Sequence, residues 1–266
     1  MPTVSVNGTH LYYEELGHGP NMLFIHGMCG DASVWADQMR RLSPHFHTIS
    51  YDRRGHSHSP LGQITQRTVE LHADDAAQLI LELGLVPCIV VGSSGGARIA
   101  VDLVRRYPLL VSRVVLSEPP INTLSPDGGA SFFAEVKPAV EQAMASGGPR
   151  AAVDAFFEVV CAGLWRQLPD ERRETPYRAN AAELLGDLMM PSYQITPIDL
   201  RQFRVPTLVM RGDQTAPFFF PITDTLAQTI PGAQLVEIHG SGHVTYAEQP
   251  EQFAAAVESF AMARAL

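Results

Sequence analysis

Cysteine is scarce in this 266-residue sequence. Cys29, Cys88 and Cys161 are an odd count without metal-type spacing, and they read as reduced thiols. Basic residues are also few: 19 Lys and Arg stand against 28 Asp and Glu, for a formal net charge of −9. With no basic cluster longer than a pair, neither a nucleic-acid surface nor an anionic-membrane surface is expected. No apolar run approaches the roughly 18 residues of a membrane-spanning helix. The opening "MPTVSVNGTHLYYEE" lacks the basic start and apolar stretch of a secretory leader, so a cytoplasmic location is expected. The Gly-Lys-Ser/Thr ending of a nucleotide loop and the pattern G-x-G-x-x-G are both missing. Repeats and low-complexity tracts are missing too. What remains is ordinary globular composition, 45% hydrophobic and 18% charged, enough for one large core or a core with a small appended layer.

"TVSVNGTHLYYEEL" alternates around Asn-Gly and predicts a hairpin. "NMLFIHG", "FHTISYDRRGHS", "PCIVVGSSGG", "VSRVVLSEPP", "RVPTLVMRGD" and "AQLVEIHGSGH" each contain a short apolar run that ends at a turn, the pattern of a buried strand. Helical periodicity separates several of them, as in "TVELHADDAAQLILELGL" and the closing "PEQFAAAVESFAMARAL". Strands alternating with helices imply an α/β fold with a mostly parallel sheet covered on both faces. The alternation fails between about 121 and 203, where the sequence is helical and rich in large apolar side chains. Residues 1–120 and 204–266 are therefore expected to form the core domain, with 121–203 a helical lid inserted into it.

In "VVGSSGGARIA", Gly92-x-Ser94-x-Gly96 lies between a strand and a helix, the context in which G-x-S-x-G marks a nucleophile. The flanking glycines remove side chains that would clash at so sharp a turn, and the helix N-terminus beyond offers amides to an oxyanion. Ser93 is the competing serine, but only Ser94 has glycine two residues away on both sides. A serine hydroxyl needs an imidazole to accept its proton. Of ten histidines, His243 in "IHGSGHVTYAEQP" lies after the last strand, in a glycine-rich loop before the terminal helix. His239, four residues earlier at the strand end, is the weaker candidate.

Together with "FIHGMCG" and "GSGHVTYAEQPEQF", these residues make the chain resemble the α/β-hydrolase family over essentially its whole length, with the insertion at the family's lid position. The resemblance implies an eight-stranded sheet and the chain order serine, acid, histidine. It also implies an oxyanion hole built from the backbone amides of Met28 and Gly95. By the same token His26 is structural, and Asp52 shapes a turn at the pocket edge.

The acid is the point at which the sequence departs from the commonest family pattern, which places it three residues beyond the glycine ending the strand. Counting from Gly212, that position is Thr215, which carries no charge. Asp213 lies in the right loop but directly after the glycine, where a carboxylate also braces turns. Glu118, in "RVVLSEPP", ends the strand expected beside the nucleophile's own, and two prolines fix the chain's exit. Some family members keep their acid on this strand, and the fungal zearalenone lactonases are one group that the Glu-Pro context resembles. Glu118 is the expected acid and Asp213 the alternative.

The expected pocket is apolar, with Met28, Phe132, Trp165, Met189, Met190, Tyr193 and Phe219 as its named contacts. The expected activity is that of a carboxylic ester or lactone hydrolase working through an acyl-enzyme on an apolar cyclic or aromatic substrate, a zearalenone-type lactone among them. No metal or organic cofactor is implied, and a homodimer is left open. Enol-lactonase, carbon–carbon bond hydrolase and cofactor-free haloperoxidase or perhydrolase chemistry are the enzymatic alternatives. A ligand receptor built on the same fold is the non-catalytic one. Ser94 argues against haloalkane dehalogenases and epoxide hydrolases, which carry aspartate at that turn.

Overall fold

The computed structural model describes residues 1–64 and 66–263, apart from the side chains of residues 126–133. Eight strands form one sheet: β1 (Thr3–Val6), β2 (Thr9–Leu16), β3 (Asn21–Ile25), β4 (His47–Tyr51), β5 (Cys88–Ser93), β6 (Val111–Ser117), β7 (Thr207–Gly212) and β8 (Gln234–Ile238). Their spatial order is β1-β2-β4-β3-β5-β6-β7-β8. The hairpin β1–β2 turns at Asn7 and Gly8, both at positive φ (39° and 77°), as a two-residue Asn-Gly turn requires. β2 pairs antiparallel with β4, and every pairing from β4 to β8 is parallel.

Alternation along the strands divides the core between two faces. Met22 and Phe24 of β3 join the side chains of α1 (Ala36–Leu42) and, near the chain's end, α10 (Pro250–Met262). Leu23 and Ile25 point the other way, onto α2 (Val69–Glu82) and α3 (Gly95–Arg106). Because both faces are covered, the strands are continuous apolar runs, the pattern that marked them in the sequence.

Between β6 and β7 the described residues contain helices and no strand. The stretch α4 (Pro126–Gln167) leaves helical geometry at Gly148 (φ 74°), just before Pro149, and again at Cys161. A single turn, α5 (Asp170–Arg172), then α6 (Ala181–Leu188) and α7 (Pro197–Leu200) follow. Ionic and polar contacts hold α6 and the residue before it to the sheet domain. Arg53 donates to Asp187 at 2.7 Å, Arg67 pairs with Glu183, and Asn180 exchanges hydrogen bonds with Ser57. After β7, α8 (Phe219–Thr229) leads to β8, and α9 (Thr245–Glu248) precedes α10. Among the described residues no helix is long and apolar enough to cross a membrane.

The chain runs from β3 outward to β4 and then returns to the other side of β3 for β5, so β3 and β5 straddle the topological switch point. In open parallel sheets the crevice beyond the strand ends at that point is where ligands bind. The loops bearing Met28 and Ser94 leave the sheet there.

Candidate active site

Ser94 stands between β5 and α3 at φ 54° and ψ −122°, a conformation costing a non-glycine residue about 1–3 kcal/mol. Its surroundings hold it there. The Ser94 N–H donates to the Ser117 carbonyl at 2.8 Å, and the Ser94 carbonyl accepts from the amides of Ala97 and Arg98. The turn is also too tight for side chains on either flank. A Cβ on Gly96 would lie 2.0 Å from the Ile25 carbonyl oxygen, and one on Gly92 would lie 2.5 Å from that of Gly96. These contacts supply the physical reason for the two glycines around the serine.

The amides of Gly95 and Gly96, the first two of α3, have no carbonyl before them in the helix and are free to bind an anion. A Cβ on Gly95 would sit 3.7 Å from the Met28 nitrogen, so the two expected oxyanion donors occupy adjacent backbones. His26, directly below, is fully buried. Its Nδ1 donates to the Gly27 carbonyl at 2.8 Å and its Nε2 accepts from the Arg53 amide at 2.9 Å. Burial, with Arg53 beside it, lowers its pKa well below the ordinary histidine value, so it is a neutral brace for the turn. Asp52 accepts from the amides of Ala32 and His58 and likewise shapes a turn.

His243 lies on the loop between β8 and α9, with its ring stacked on Phe219 at 4.3 Å and 12°. Glu248 grips that loop by accepting from the amides of Gly242 and Val244 at 2.9 and 3.0 Å, and Ser117 and Thr245 join hydroxyls across it. His243 Nδ1 donates to Oε2 of Glu118 at 2.5 Å. Glu118 is fully buried at the end of β6 with φ 47°, a second strained residue beside the first. Its carboxylate also accepts from the Thr215 hydroxyl at 2.7 Å and from the Gly212 amide at 2.8 Å. Thr215, the residue at the usual acid position, is therefore a hydrogen-bond donor to an acid that comes from the neighbouring strand. Sequence reasoning noted its lack of charge and missed this role. Asp213 instead accepts from His239 Nδ1 at 2.6 Å and from the Gly240 amide at 2.8 Å, away from His243.

Ser94 and His243 line one cavity of about 80 Å³. A second, of about 30 Å³, touches both residues and reaches Gly30, Phe157, Tyr177 and Tyr246. Of the contacts expected from the sequence, Met28, Met190, Tyr193 and Phe219 line the larger cavity. Trp165 does not. It is buried inside the insertion, stacked on Phe157 at 4.5 Å, because the insertion needs an aromatic interior of its own. Met189 is 82% exposed at the C-terminal end of α6, where it faces away from the cavity walls formed by Leu188 and Met190. The side chain of Phe132 lies outside those described. Phe156, Val160 and Leu188 complete the apolar wall. Arg98, Asn122 and Asp187 form a polar wall that an expectation of an apolar pocket did not include.

The three cysteines are buried free thiols; burial raises Cys88 to about 12 and pushes Cys29 and Cys161 upward as well. No group of three or more His, Cys, Asp or Glu side chains among the described residues is arranged to hold a metal ion.

A model of the alpha/beta hydrolase family matches residues 22–256. The chain is 30% identical over 273 residues to the 2-(acetamidomethylene)succinate hydrolase of Mesorhizobium japonicum, covering 97% of this chain and 93% of that protein. It is 40% identical over 118 residues to an uncharacterised hydrolase of Bacillus subtilis, a match spanning 44% of each chain, less than half of that relative's length. Among solved structures, the enol-lactonase from Burkholderia xenovorans LB400 superposes with a TM-score of 0.77 at 23% identity, over 98% of this chain and 100% of that one.

Proposed function

The chain belongs to the alpha/beta hydrolase family, and we propose that within it the protein is a serine-dependent carboxylic ester or lactone hydrolase acting through an acyl-enzyme. The observation that carries the proposal is one shared cavity: Ser94, strained at its turn, faces it together with His243, whose far ring nitrogen is tied to buried Glu118. Ser94 Oγ attacks the carbonyl carbon while His243 Nε2 takes its proton. The amides of Met28 and Gly95 bind the resulting oxyanion, and His243 returns the proton to the departing alcohol oxygen. Water then repeats the sequence on the acyl-serine, releasing the acid and restoring the serine. Glu118 holds the imidazole in the tautomer that leaves Nε2 as acceptor and stabilises the imidazolium when it forms.

The volume of the site speaks to its substrates. A cavity of about 80 Å³ is small beside the several hundred Å³ of a pocket for a drug-sized ligand, so a short acyl group fits without movement. A zearalenone-type macrocycle matches this cavity less well, so the smaller substrate is the better reading.

The test is hydrolysis of p-nitrophenyl esters of increasing acyl length, together with labelling by a fluorophosphonate probe followed by peptide mass spectrometry. We expect turnover of the short esters, one label at Ser94, and loss of both in Ser94→Ala. Absence of turnover and label in the wild-type protein would overturn the proposal.

A further inference from the structure

We propose that Arg98 anchors a carboxylate of the substrate, so that the natural substrate is an anionic ester or lactone; this rests on the reading of Ser94 as the nucleophile. Arg98 follows Ser94 by one helical turn, and its amide donates to the Ser94 carbonyl at 3.1 Å. Residues four apart share a helix face, and side chains there lean toward the helix N-terminus. Arg98 accordingly lines the cavity that Ser94 lines.

Three residues of the cavity lining each carry a buried polar atom without a hydrogen-bond partner: Arg98 Nε, Asn122 Oδ1 and Asp187 Oδ1. Buried polar groups are nearly always satisfied, and these three unpartnered atoms all belong to residues that line one cavity. Charge points the same way. The other oxygen of Asp187 is taken by Arg53 at 2.7 Å, with both side chains 1% exposed. Arg67 and Glu183 cancel each other close by. His26, His56 and His72 are kept neutral by burial, with Arg53 adding to the effect. Against two guanidinium groups, Arg53 and Arg98, there is thus one buried carboxylate. Burial pulls Arg98 downward and Arg53 adds to this, while Asp187 and the partly exposed Glu70 oppose it. An arginine does not lose its proton in a protein, so the remedy for the unpaired charge is an incoming anion.

A guanidinium fork suits a carboxylate, which it grips with two parallel hydrogen bonds. The acceptor oxygen of Asp187 disfavours a second negative charge beside the first and calls for a donor, as does Asn122 Oδ1. The geometry therefore points to a short acid whose carboxylate is a few bonds from the scissile carbonyl, with a hydroxyl or N–H next to it.

Monoethyl succinate and ethyl butanoate differ by a carboxylate in place of a methyl group and form the test pair, followed by pH-stat. We expect wild-type kcat/KM to favour monoethyl succinate by about 30-fold or more, the range lost when a buried charge pair is broken. In Arg98→Met that ratio collapses toward one, mainly through KM. In Arg98→Lys it is intermediate, because a point charge remains without the fork. The wild-type comparison needs no variant, so poor folding of a variant does not rescue the idea. A wild-type ratio at or below one, or a ratio unmoved by Arg98→Met, overturns the anchor while leaving the hydrolase reading intact. Calorimetry on Ser94→Ala protein separates the opposite case. If neither ester is hydrolysed but monoethyl succinate binds, and adding Arg98→Met abolishes binding, the hydrolase reading falls and the anchor stands. If neither hydrolysis nor binding occurs, both fall.

Discussion

Glu118 and His243 meet at 2.5 Å with 0% and 5% of their side chains exposed, whereas Asp213 and His239 meet at 2.6 Å with 26% and 91% exposed. The two contacts have nearly the same length, and both form at the carboxyl edge of one sheet. What separates them is water and company. Glu118 accepts from Thr215 and Gly212 as well as from His243, and the far side of the His243 ring looks into the cavity with Ser94. Asp213 and the Gly240 amide brace the turn after β8, and His239 points to solvent. In water a charge pair is screened and worth little; in a dry setting with each oxygen satisfied it fixes a ring's tautomer and direction. The contrast teaches that acid–histidine distance alone does not distinguish the two pairs, whereas burial and additional donors do.

The largest expected effect breaks this comparison outright. Glu118→Gln keeps the side chain's shape and removes its charge, and kcat on a short p-nitrophenyl ester should fall by about 10³–10⁴-fold; Asp213→Asn should stay within about threefold of wild type. Equal losses in the two variants would erase the distinction.

A smaller effect concerns His72, a histidine buried like His243 but without a partner on either ring nitrogen. Burial, helped by Arg53, pulls it from 6.5 to about 3. Between those values the unfolded chain binds a proton that the folded chain does not, so stability is full above pH 6.5 and is lost as pH falls through the window. The loss from this one group amounts to about 2 kcal/mol at pH 5. Urea melts at pH 7.5 and 5.0 should show a smaller acid-induced loss in His72→Leu than in the wild-type protein.

The smallest effect sharpens the buried pair itself. Thr215→Val removes one donor from the oxygen that serves His243, and kcat/KM should fall about tenfold, between the Glu118 and Asp213 variants. No change would mean that the carboxylate is held well enough by Gly212 and His243 alone.

Much of the architecture was legible because short apolar runs broken by glycine and proline mark buried parallel strands, and Asn7-Gly8 marks a hairpin. The sharp turn at Ser94 was legible because it leaves a local imprint of glycines, and the loop of His243 because it follows the last strand; the structure brings both residues to one cavity. The preference for Glu118 over Asp213 came from strand adjacency, which the pairing of β5 with β6 and of β6 with β7 now makes explicit. The cavity was far less legible. Trp165, Met189 and Leu188 all read as large apolar residues of a helical segment, and which of them faces inward depends on breaks such as those at Gly148 and Cys161 that rotate one helical piece against the next. Arg98 was hidden for another reason. A charged residue one turn into a helix usually reaches solvent, whereas Arg98 is only partly exposed and lines a cavity with Asp187, Leu188 and Tyr193 of the insertion.

The meeting of Thr215 and Glu118 also bears on descent. Thr215 Oγ1 lies 2.7 Å from the oxygen that holds His243, so the ends of two neighbouring strands offer alternative addresses for one negative charge. A chain with aspartate at 215 and glutamate still at 118 would carry two carboxyls within hydrogen-bonding reach, one of them protonated and standing in for the threonine hydroxyl. From that intermediate either acid can be discarded, and the charge beside His243 changes strands while the histidine stays where it is.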